Sequence, residues 1–155
     1  MLGYFEDEAA TAAVFDEEGY FHTGDLGYVD ADGWIYITGR LKNLIILSNG
    51  KNVYPEELET EISRIYGVAE VVVYAGESRS DASKELIVAE IFPDAEALQM
   101  RGIEDAYKYF HEEVTGINQT VAPYKKIGHV KIRTEEFPKT TTRKITRFKI
   151  DKTID

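Results

Sequence analysis

The sequence predicts an α+β fold in which a short mixed sheet is flanked by helices and preceded by a β-hairpin. Three observations support this class. The runs Ala69–Ala75 and Leu86–Phe92 are mostly apolar and rich in β-branched residues, which favours buried strands. Residues Ile103–Thr115 carry apolar side chains at helical spacing, which indicates an amphipathic helix. The dipeptide Asp32-Gly33 lies between two strand-like segments, as in a tight hairpin.

The first 39 residues predict one helix followed by that hairpin. Residues Asp7–Phe15 are rich in alanine and acidic residues and favour a short helix that ends near Gly19. The hairpin strands are predicted at Leu26–Val29 and Trp34–Thr38. Because two strands and one helix bury too little apolar surface to be stable alone, we expect this part to be the edge of a larger body.

The segment Gly39–Glu59 predicts a turn, a strand, a second turn, another strand and a helix. Leu44–Leu47 is a β-favouring apolar run, and Asn49-Gly50 is a strong tight-turn signal. Pro55 and the glutamates that follow it suit the first turn of a helix, because that turn needs no amide donor and its dipole favours acids.

The rest of the chain predicts a polar loop, two helices, a strand and a basic helix. The loop is Glu77–Lys84, and the first helix is Ala95–Met100, which a glycine separates from the longer helix Ile103–Thr115. A strand at His129–Arg133 and a short basic helix at Thr142–Ile150 complete the pattern. The buried face of the longer helix is expected to comprise Ile103, Ala106, Tyr107, Phe110 and Val114.

Length and composition place bounds on function. The 155 residues, 43% hydrophobic and 30% charged, suffice for one modest domain with its own core but not for a large two-domain enzyme. The absence of cysteine excludes a disulfide, a thiolate metal site and a cysteine nucleophile, and the three scattered histidines argue against a zinc site. No apolar run is long enough to span a membrane and the N-terminus lacks a signal-peptide pattern, so we expect a cytoplasmic protein without a transmembrane segment.

Charge is segregated along the chain. The net charge is −10, from 18 basic and 28 acidic residues, which argues against general nucleic-acid binding. Nine acids and no Lys or Arg precede Arg40, whereas ten of the 18 basic residues lie between Val121 and Lys152. This local positive field suits a small ligand rich in phosphate. A solvated basic surface is the other interpretation that composition allows.

Two short motifs contain residue types that can carry chemistry. Thr23-Gly24-Asp25 places a carboxylate beside a hairpin, where it could accept two hydrogen bonds from a sugar diol, although all three residue types also form ordinary turns. The segment Phe137–Ile145 combines a proline, three threonines and several bases, among them Lys144. On residue types alone, Lys144 is one of six bases between Lys139 and Lys152, in and around the predicted basic helix, and nothing singles it out.

In their order and spacing, these segments resemble the adenylate-forming superfamily, which includes acyl-CoA synthetases, luciferases and the adenylation domains of nonribosomal peptide synthetases. The resemblance extends from Met1 to about Ile150 and is strongest to long- or medium-chain fatty acyl-CoA synthetases of bacteria. It implies that residues 1–39 are the trailing edge of a large N-terminal AMP-binding domain, that 40–43 are a hinge, and that 44–155 are a C-terminal lid domain. Met1 is then expected to be an internal methionine of a longer protein.

The resemblance also implies roles for the residues before and at the hinge. Asp25 of the Thr-Gly-Asp motif would bind the ribose hydroxyls of ATP, with Thr23 beside it, and Arg40 would add a charged contact to ribose or phosphate. Lys42 stands at the position of the hinge residue, which would make it a pivot. By itself, Lys42 is an ordinary surface lysine.

Two loops are implied to serve two half-reactions. Lys144 would contact the acyl carboxylate and the α-phosphate during adenylation, where an ammonium stabilises the charge that builds between two anions. Many similar proteins have glycine before this lysine, whereas this chain has Arg143. The loop Asn49-Gly50-Lys51-Asn52 would enter the active site for thioester formation, because Gly50 leaves room for the pantetheine arm. The simpler interpretation of this loop is a hairpin turn.

The implied reaction joins a carboxylic acid to AMP with release of pyrophosphate and then transfers the acyl group to coenzyme A. ATP, Mg²⁺ and coenzyme A are implied, with the Mg²⁺ ligand and the acyl pocket in the absent N-terminal domain, which is the expected partner. This chain is therefore expected to contain no metal site and to be inactive alone. Two alternatives remain: an aminoacyl-adenylating or luciferase-like domain of the same superfamily, and a non-catalytic module that binds a nucleotide or an acidic partner.

Overall fold

The structure, a computed structural model, describes residues 1–77 and 86–154 and divides into two compact units, Met1–Lys42 and Asn43–Asp155. Helices and strands both occur, and the largest sheet has parallel and antiparallel neighbours, which confirms the predicted α+β class with a short mixed sheet. The polar loop predicted at Glu77–Lys84 lies, apart from Glu77, outside the described residues.

The first unit contains one short helix and one hairpin. Helix α1 spans Glu8–Ala12, and strands β1 (Asp25–Val29) and β2 (Ile35–Arg40) pair in antiparallel fashion. The side chain of Asp7 caps α1 by accepting a hydrogen bond from the Ala10 amide at 2.8 Å. The hairpin brings the first residue of β1 opposite the last residue of β2.

Helix α1 ends earlier than the sequence predicts. Beyond Ala12 the chain turns back, because Phe15 forms a β-bridge with Phe21 and their ring centroids lie 5.5 Å apart. The amide of His22 also donates to the carbonyl of Val14 at 2.8 Å. These contacts replace a last helical turn, since a short helix without tertiary packing is only marginally stable.

The second unit contains three α-helices and five strands among its described residues. In chain order they are β3 (Ile45–Ile46), β4 (Asn52–Val53), α2 (Pro55–Ile62), β5 (Val68–Gly76), β6 (Leu86–Pro93), α3 (Ala95–Met100), α4 (Ala106–Thr120) and β7 (Ile127–Ile132). The main sheet has the order β5-β6-β7, in which β5 and β6 are antiparallel and β6 and β7 are parallel. Strands β3 and β4 form a separate antiparallel pair.

Both faces of the main sheet are covered. Along β5, Val73 packs into a large cluster that contains Phe110 of α4, while Tyr74 packs into a smaller cluster with Phe137 and Ile150. The alternation follows from the pleat, since successive side chains of a strand face opposite ways. The segment after β7 therefore covers the sheet face that the helices leave free.

Helix α4 differs from the prediction in its bounds and in one buried residue. The structure places it at Ala106–Thr120 rather than at Ile103–Thr115, because the side chain of Asp105 caps the first turn. Tyr107 is 52% exposed, so its prediction as a core residue is wrong. Tyr109 packs against the large cluster instead.

The prediction of a basic helix at Thr142–Ile150 is wrong. The chain forms a tight loop there, followed by one turn of 3₁₀ helix at Arg147–Lys149. β-Branched residues such as Ile145 disfavour a helix, and Ile145 pairs with Lys139 in an isolated antiparallel bridge. The strand before this segment, β7, begins and ends before the bounds predicted for it.

Candidate functional site

In the first unit, the paired ends of β1 and β2 bring Thr23, Asp25 and Arg40 together. Asp25 and Arg40 are partners in the strand register, and Arg40 Nε lies 2.8 Å from Asp25 Oδ1. Arg40 Nη1 donates to the Thr23 carbonyl at 3.2 Å, and Thr23 Oγ1 accepts a hydrogen bond from the Asp25 amide at 3.1 Å. Three residues that the sequence singles out thus form one contact group.

The Asp25 carboxylate is partly open to solvent. Its side chain is 27% exposed, and that of Arg40 is 55% exposed. The ion pair uses Oδ1, and the hydrogen bonds of Thr23 and Arg40 within residues 1–77 and 86–154 do not reach Oδ2. A carboxylate oxygen that is free beside a guanidinium can accept hydrogen bonds from a ligand hydroxyl.

The β3–β4 connection in the second unit is a tight turn. The Gly50 amide donates to the Leu47 carbonyl at 2.8 Å, and Asn49 Oδ1 accepts a hydrogen bond from the Lys51 amide at 3.0 Å. Gly50 has φ +75°, and a Cβ added there would meet nothing within 4 Å. Lys51 Nζ lies 4.9 Å from the centre of the Tyr124 ring, in a cation–π contact. The turn therefore presents open backbone at Gly50.

Lys42 is the last residue of the first unit and lies in a 3₁₀ turn that spans Leu41–Asn43. Its side chain is exposed and forms no ion pair with the residues that the structure describes. The next residue, Asn43, donates its side-chain amide to Glu56 Oε1 at 2.6 Å. Asn52, at the end of the predicted CoA loop, is exposed on β4. The hinge role of Lys42 stays a prediction.

Lys144 lies in a compact loop whose ends pair at Lys139 and Ile145. The Arg143 amide donates to the Thr140 carbonyl, and the Thr140 amide donates to the Lys144 carbonyl, each at 2.9 Å. These bonds are those of a short hairpin loop that closes through a bulge, at which a left-handed residue is required. Arg143 is that residue, with φ +61°. It occupies a position that suits glycine.

The bases of this segment differ in what they contact. Lys139 pairs with Glu70 at 2.5 Å and with Glu136 at 2.7 Å. The contacts with Glu136 and Glu70 raise the pKa of Lys139, so its charge is committed to these carboxylates. Arg147 is also ion-paired. By contrast, Lys144 is exposed, and its ammonium has no partner in the described parts of the chain.

Glu59 is a neighbour of this segment that sequence reasoning missed. It lies on α2 with its side chain 14% exposed, and it contacts Arg147, which is 88 residues away in sequence. Burial raises the pKa of Glu59, and the Arg147 guanidinium opposes that shift. From the sequence, Glu59 is one of the glutamates that suit the first turn of the predicted helix. That pattern does not indicate a distant partner.

The described residues do not fit a metal site. In residues 1–77 and 86–154, no group of three or more His, Cys, Asp or Glu side chains could hold a metal ion. The same described ranges contain no helix that is both long and apolar enough to cross a membrane.

Comparison with known protein families decides what these motifs belong to. Residues 42–153 match the AMP-binding enzyme C-terminal domain family. The chain belongs to this family. The Gly50 turn and the Lys144 loop both fall within the matched range of this AMP-binding enzyme C-terminal domain, whereas Asp25 and Arg40 precede it.

Several curated relatives of this AMP-binding enzyme C-terminal domain are CoA ligases. A 3-[(3aS,4S,7aS)-7a-methyl-1,5-dioxo-octahydro-1H-inden-4-yl]propanoyl:CoA ligase of Rhodococcus jostii is 43% identical over 91 residues, which are 57% of this chain and 18% of the relative. A long-chain-fatty-acid–CoA ligase of Homo sapiens is 44% identical over 79 residues, which are 51% of this chain and 11% of the relative. The matches thus span less than a fifth of each relative.

Solved structures agree with this assignment. An o-succinylbenzoate coenzyme A synthetase of Bacillus subtilis, in complex with ATP and magnesium ion, is 27% identical to this chain with a TM-score of 0.73. The match covers 96% of this chain and 28% of that one. The resemblance to the adenylate-forming superfamily that the sequence indicates is confirmed.

The left-handed backbone at Arg143 leads to a stability prediction. Arg143→Gly is expected to stabilise the chain by up to about 1 kcal/mol, because a residue with a Cβ costs about 1–2 kcal/mol in this conformation and the higher unfolded-state entropy of glycine offsets only part of the gain. Urea denaturation followed by circular dichroism measures the free energy of unfolding.

Arg143→Ala is the matched control, since it removes the same charge but keeps the Cβ. We expect no gain in stability from Arg143→Ala. If both variants gained equally, the effect would belong to the charge of Arg143 rather than to its backbone.

Proposed function

We propose that this chain is the C-terminal domain, with the last part of the preceding domain, of an ATP-dependent acyl-CoA ligase. The full-length enzyme would convert a carboxylic acid and ATP into acyl-AMP and pyrophosphate, and then transfer the acyl group to coenzyme A with release of AMP. Family membership supports the adenylate-forming class, and the CoA ligases among the relatives support thioester formation over aminoacyl transfer or oxidation.

The observation that carries the proposal is the free ammonium of Lys144 on a closed loop. Lys139 and Arg147 of this segment are ion-paired with glutamates, whereas Lys144, like Arg143 and Lys149, has no such partner in the described residues, and Lys144 is the lysine among these three that lies on the closed loop. Adenylation brings a carboxylate against the α-phosphate, and an ammonium held ready at that point stabilises the negative charge of the transition state. We assign Lys144 as the catalytic residue of this domain.

The contact group in the first unit is assigned to ATP. Asp25 Oδ2 would accept hydrogen bonds from the ribose hydroxyls, while Arg40, already paired with Oδ1, would hold the carboxylate in place and contact ribose or phosphate. Thr23 would stabilise the group, because its hydroxyl accepts a hydrogen bond from the Asp25 amide and its carbonyl accepts one from Arg40. A carboxylate that is fixed by a neighbour loses less conformational entropy when it binds.

The second half-reaction is assigned to the turn Asn49–Asn52. Open backbone at Gly50 would let the pantetheine arm of coenzyme A run close to the chain, where a side chain would obstruct it. We place the hinge at residues 40–43, between a trailing edge at 1–39 and a lid at 44–155, with Lys42 as the pivot. Rotation at the hinge would present Lys144 for adenylation and the Gly50 turn for thioester formation.

The substrate class and the metal requirement of the full-length enzyme are assigned from the relatives and from the family resemblance. The relatives named as CoA ligases support a fatty or other carboxylic acid as substrate. We assign the acyl pocket and the Mg²⁺ ligand to the larger domain of the full-length protein, as the resemblance to the adenylate-forming superfamily implies. This chain would then contribute a cation, a nucleotide contact and a moving loop.

The assignment of the triphosphate and acyl sites to the larger domain is tested by comparing this chain with the full-length ligase. The purified chain is expected to catalyse no exchange of pyrophosphate into ATP, because the triphosphate and acyl sites lie in the larger domain. The full-length ligase is expected to release AMP in a reaction that requires both coenzyme A and a carboxylic acid. Labelled pyrophosphate exchange and a coupled AMP assay measure the two activities.

Each result has a clear opposite. Acyl-dependent pyrophosphate exchange by the chain alone would contradict the assignment of those sites to the larger domain. Release of AMP that is unchanged when coenzyme A is left out would favour the luciferase-like or aminoacyl-adenylating alternative.

A further inference from the structure

The Lys144 loop is held at its downstream end by Arg147. One guanidinium nitrogen, Nη2, contacts both carboxylate oxygens of Glu59, at 2.7 Å and 2.5 Å. The other, Nη1, donates to the Val73 carbonyl at 3.3 Å. Arg147 therefore ties the loop at the same time to helix α2 and to strand β5.

Glu59 completes this connection from the other side. Its Oε1 also accepts a hydrogen bond from the Val73 amide at 2.7 Å. One carboxylate thus links the backbone of β5 with the guanidinium of Arg147, three residues beyond Lys144. Because Glu59 is largely buried, water competes weakly for these contacts.

The upstream end of the loop is held in a similar way. Lys139 pairs with Glu70, which is also on β5, and its backbone bridges to Ile145 across the loop. The Thr146 amide then donates to the Pro138 carbonyl at 2.7 Å. The position of Lys144 relative to the sheet is therefore determined at both ends of a short loop.

The charge of Arg147 is committed within the domain. A guanidinium whose Nη2 lies on a carboxylate and whose Nη1 lies on a carbonyl has few donors left for an ATP phosphate. Lysine could not reproduce this arrangement, since its single nitrogen cannot reach two separate acceptors in a planar geometry. Arg147 is thus suited to hold the loop rather than to bind the substrate.

We propose that Arg147 and Glu59 are positioning residues that place the Lys144 ammonium for the adenylation step. The inference rests on the proposed catalytic role of Lys144. An error of about 1 Å in the placement of a catalytic group can cost about 100-fold in rate, so this pair would affect kcat strongly without touching ATP.

The test uses Arg147→Lys, Glu59→Gln and the double variant in the full-length ligase. Glu59→Gln keeps the shape of the side chain and an acceptor for the Val73 amide, which protects the fold. Each single variant is expected to lower kcat for pyrophosphate exchange on the order of 10- to 100-fold, with KM for ATP unchanged. The double variant should match the single ones, because both remove the same contact.

Thioester formation from supplied acyl-AMP separates positioning from a general structural role, and it should be unchanged in all three variants. Glu61→Gln is the matched control: it lies on the same helix, and its pair with Arg64 is exposed and spans only three residues. We expect Glu61→Gln to leave both half-reactions at their usual rates, since an exposed pair of this kind contributes little.

The possible results divide cleanly. A rise in KM for ATP with Arg147→Lys but not with Glu59→Gln would show that Arg147 binds the nucleotide, and would overturn the inference. Equal loss of both half-reactions, or a double variant whose defect is the product of the single defects, would also overturn it. Normal activity of these variants beside an inactive Lys144→Ala would refute positioning alone, whereas a fully active Lys144→Ala would refute the proposed function as well.

Discussion

Lys144→Ala in the full-length ligase is expected to slow the formation of acyl-AMP by roughly 100- to 1,000-fold, the range seen when one preorganised stabiliser of transition-state charge is removed. Formation of the thioester from supplied acyl-AMP should continue at its normal rate, because that step does not bring two anions together. Pyrophosphate exchange measures the first half-reaction, and release of AMP from acyl-AMP and coenzyme A measures the second.

Lys149→Ala is the matched control for this prediction. Lys149 is exposed in the same segment, carries the same charge and has no ion pair with described residues. Its removal should leave both half-reactions unchanged, which separates the position of Lys144 from the general positive field of the segment. A loss of equal size in both half-reactions of Lys144→Ala would point to a folding defect and argue against the catalytic role.

Phe110→Ala is expected to have the largest effect on stability, a loss of about 3–5 kcal/mol in the free energy of unfolding. Phe110 is fully buried in the large cluster, and its ring lies 5.1 Å from that of Tyr109. Its removal would leave a cavity between α4 and the main sheet, which the surrounding side chains can fill only in part. Urea denaturation of the chain, monitored by circular dichroism, gives the change.

Tyr107→Ala is the control from the same helix. Tyr107 is about half exposed, so its truncation should cost less than about 1 kcal/mol, as is usual for a surface position. Losses of similar size at Phe110 and Tyr107 would mean that the helix faces the sheet differently. The comparison therefore tests the rotation of α4 as well as the value of one contact.

The features that the sequence predicts well have a local cause. Strands β5 and β6 are covered on both faces, so each is mostly apolar, with a single glutamate in its sequence. Helix α2 begins at Pro55 and helix α3 begins after Asp94, whose side chain caps it by accepting the Ala97 amide. In these places the residue that starts an element also stabilises it, and no distant partner is needed.

The features that the sequence misses depend on distant partners. The segment Thr142–Ile150 looks helical from its bases, yet its bridge at Lys139 and its burial against β5 decide otherwise. Tyr107 and Tyr109 are both compatible with an apolar face. Packing decides between them, because Tyr109 lies against the large cluster and donates its hydroxyl to the Tyr66 carbonyl at 3.2 Å, whereas Tyr107 is exposed. Tertiary contacts overrule local preference here.

The candidate site also has a part that the sequence predicts and a part that depends on distant contacts. Asp25, Arg40 and Lys144 were identified by resemblance to a family, and the structure adds the contacts of the first two. What could not be read from the sequence is which bases of this segment are ion-paired, because pairs such as Arg147–Glu59 join residues 88 positions apart. Only the folded chain shows which charges are already committed.

The ion pair of Glu59 and Arg147 also protects an edge strand against intermolecular β-sheet pairing. Strand β5 is an outer strand, and an uncovered outer strand offers amide and carbonyl groups to any neighbouring chain. At Val73 both of these groups are occupied, the amide by Glu59 and the carbonyl by Arg147. Further along, the backbone at Glu77 is taken by residues 152–154 of the same chain. The backbone groups of this edge strand are thus occupied by residues of the same chain at these points, so a strand from another molecule cannot pair with them there.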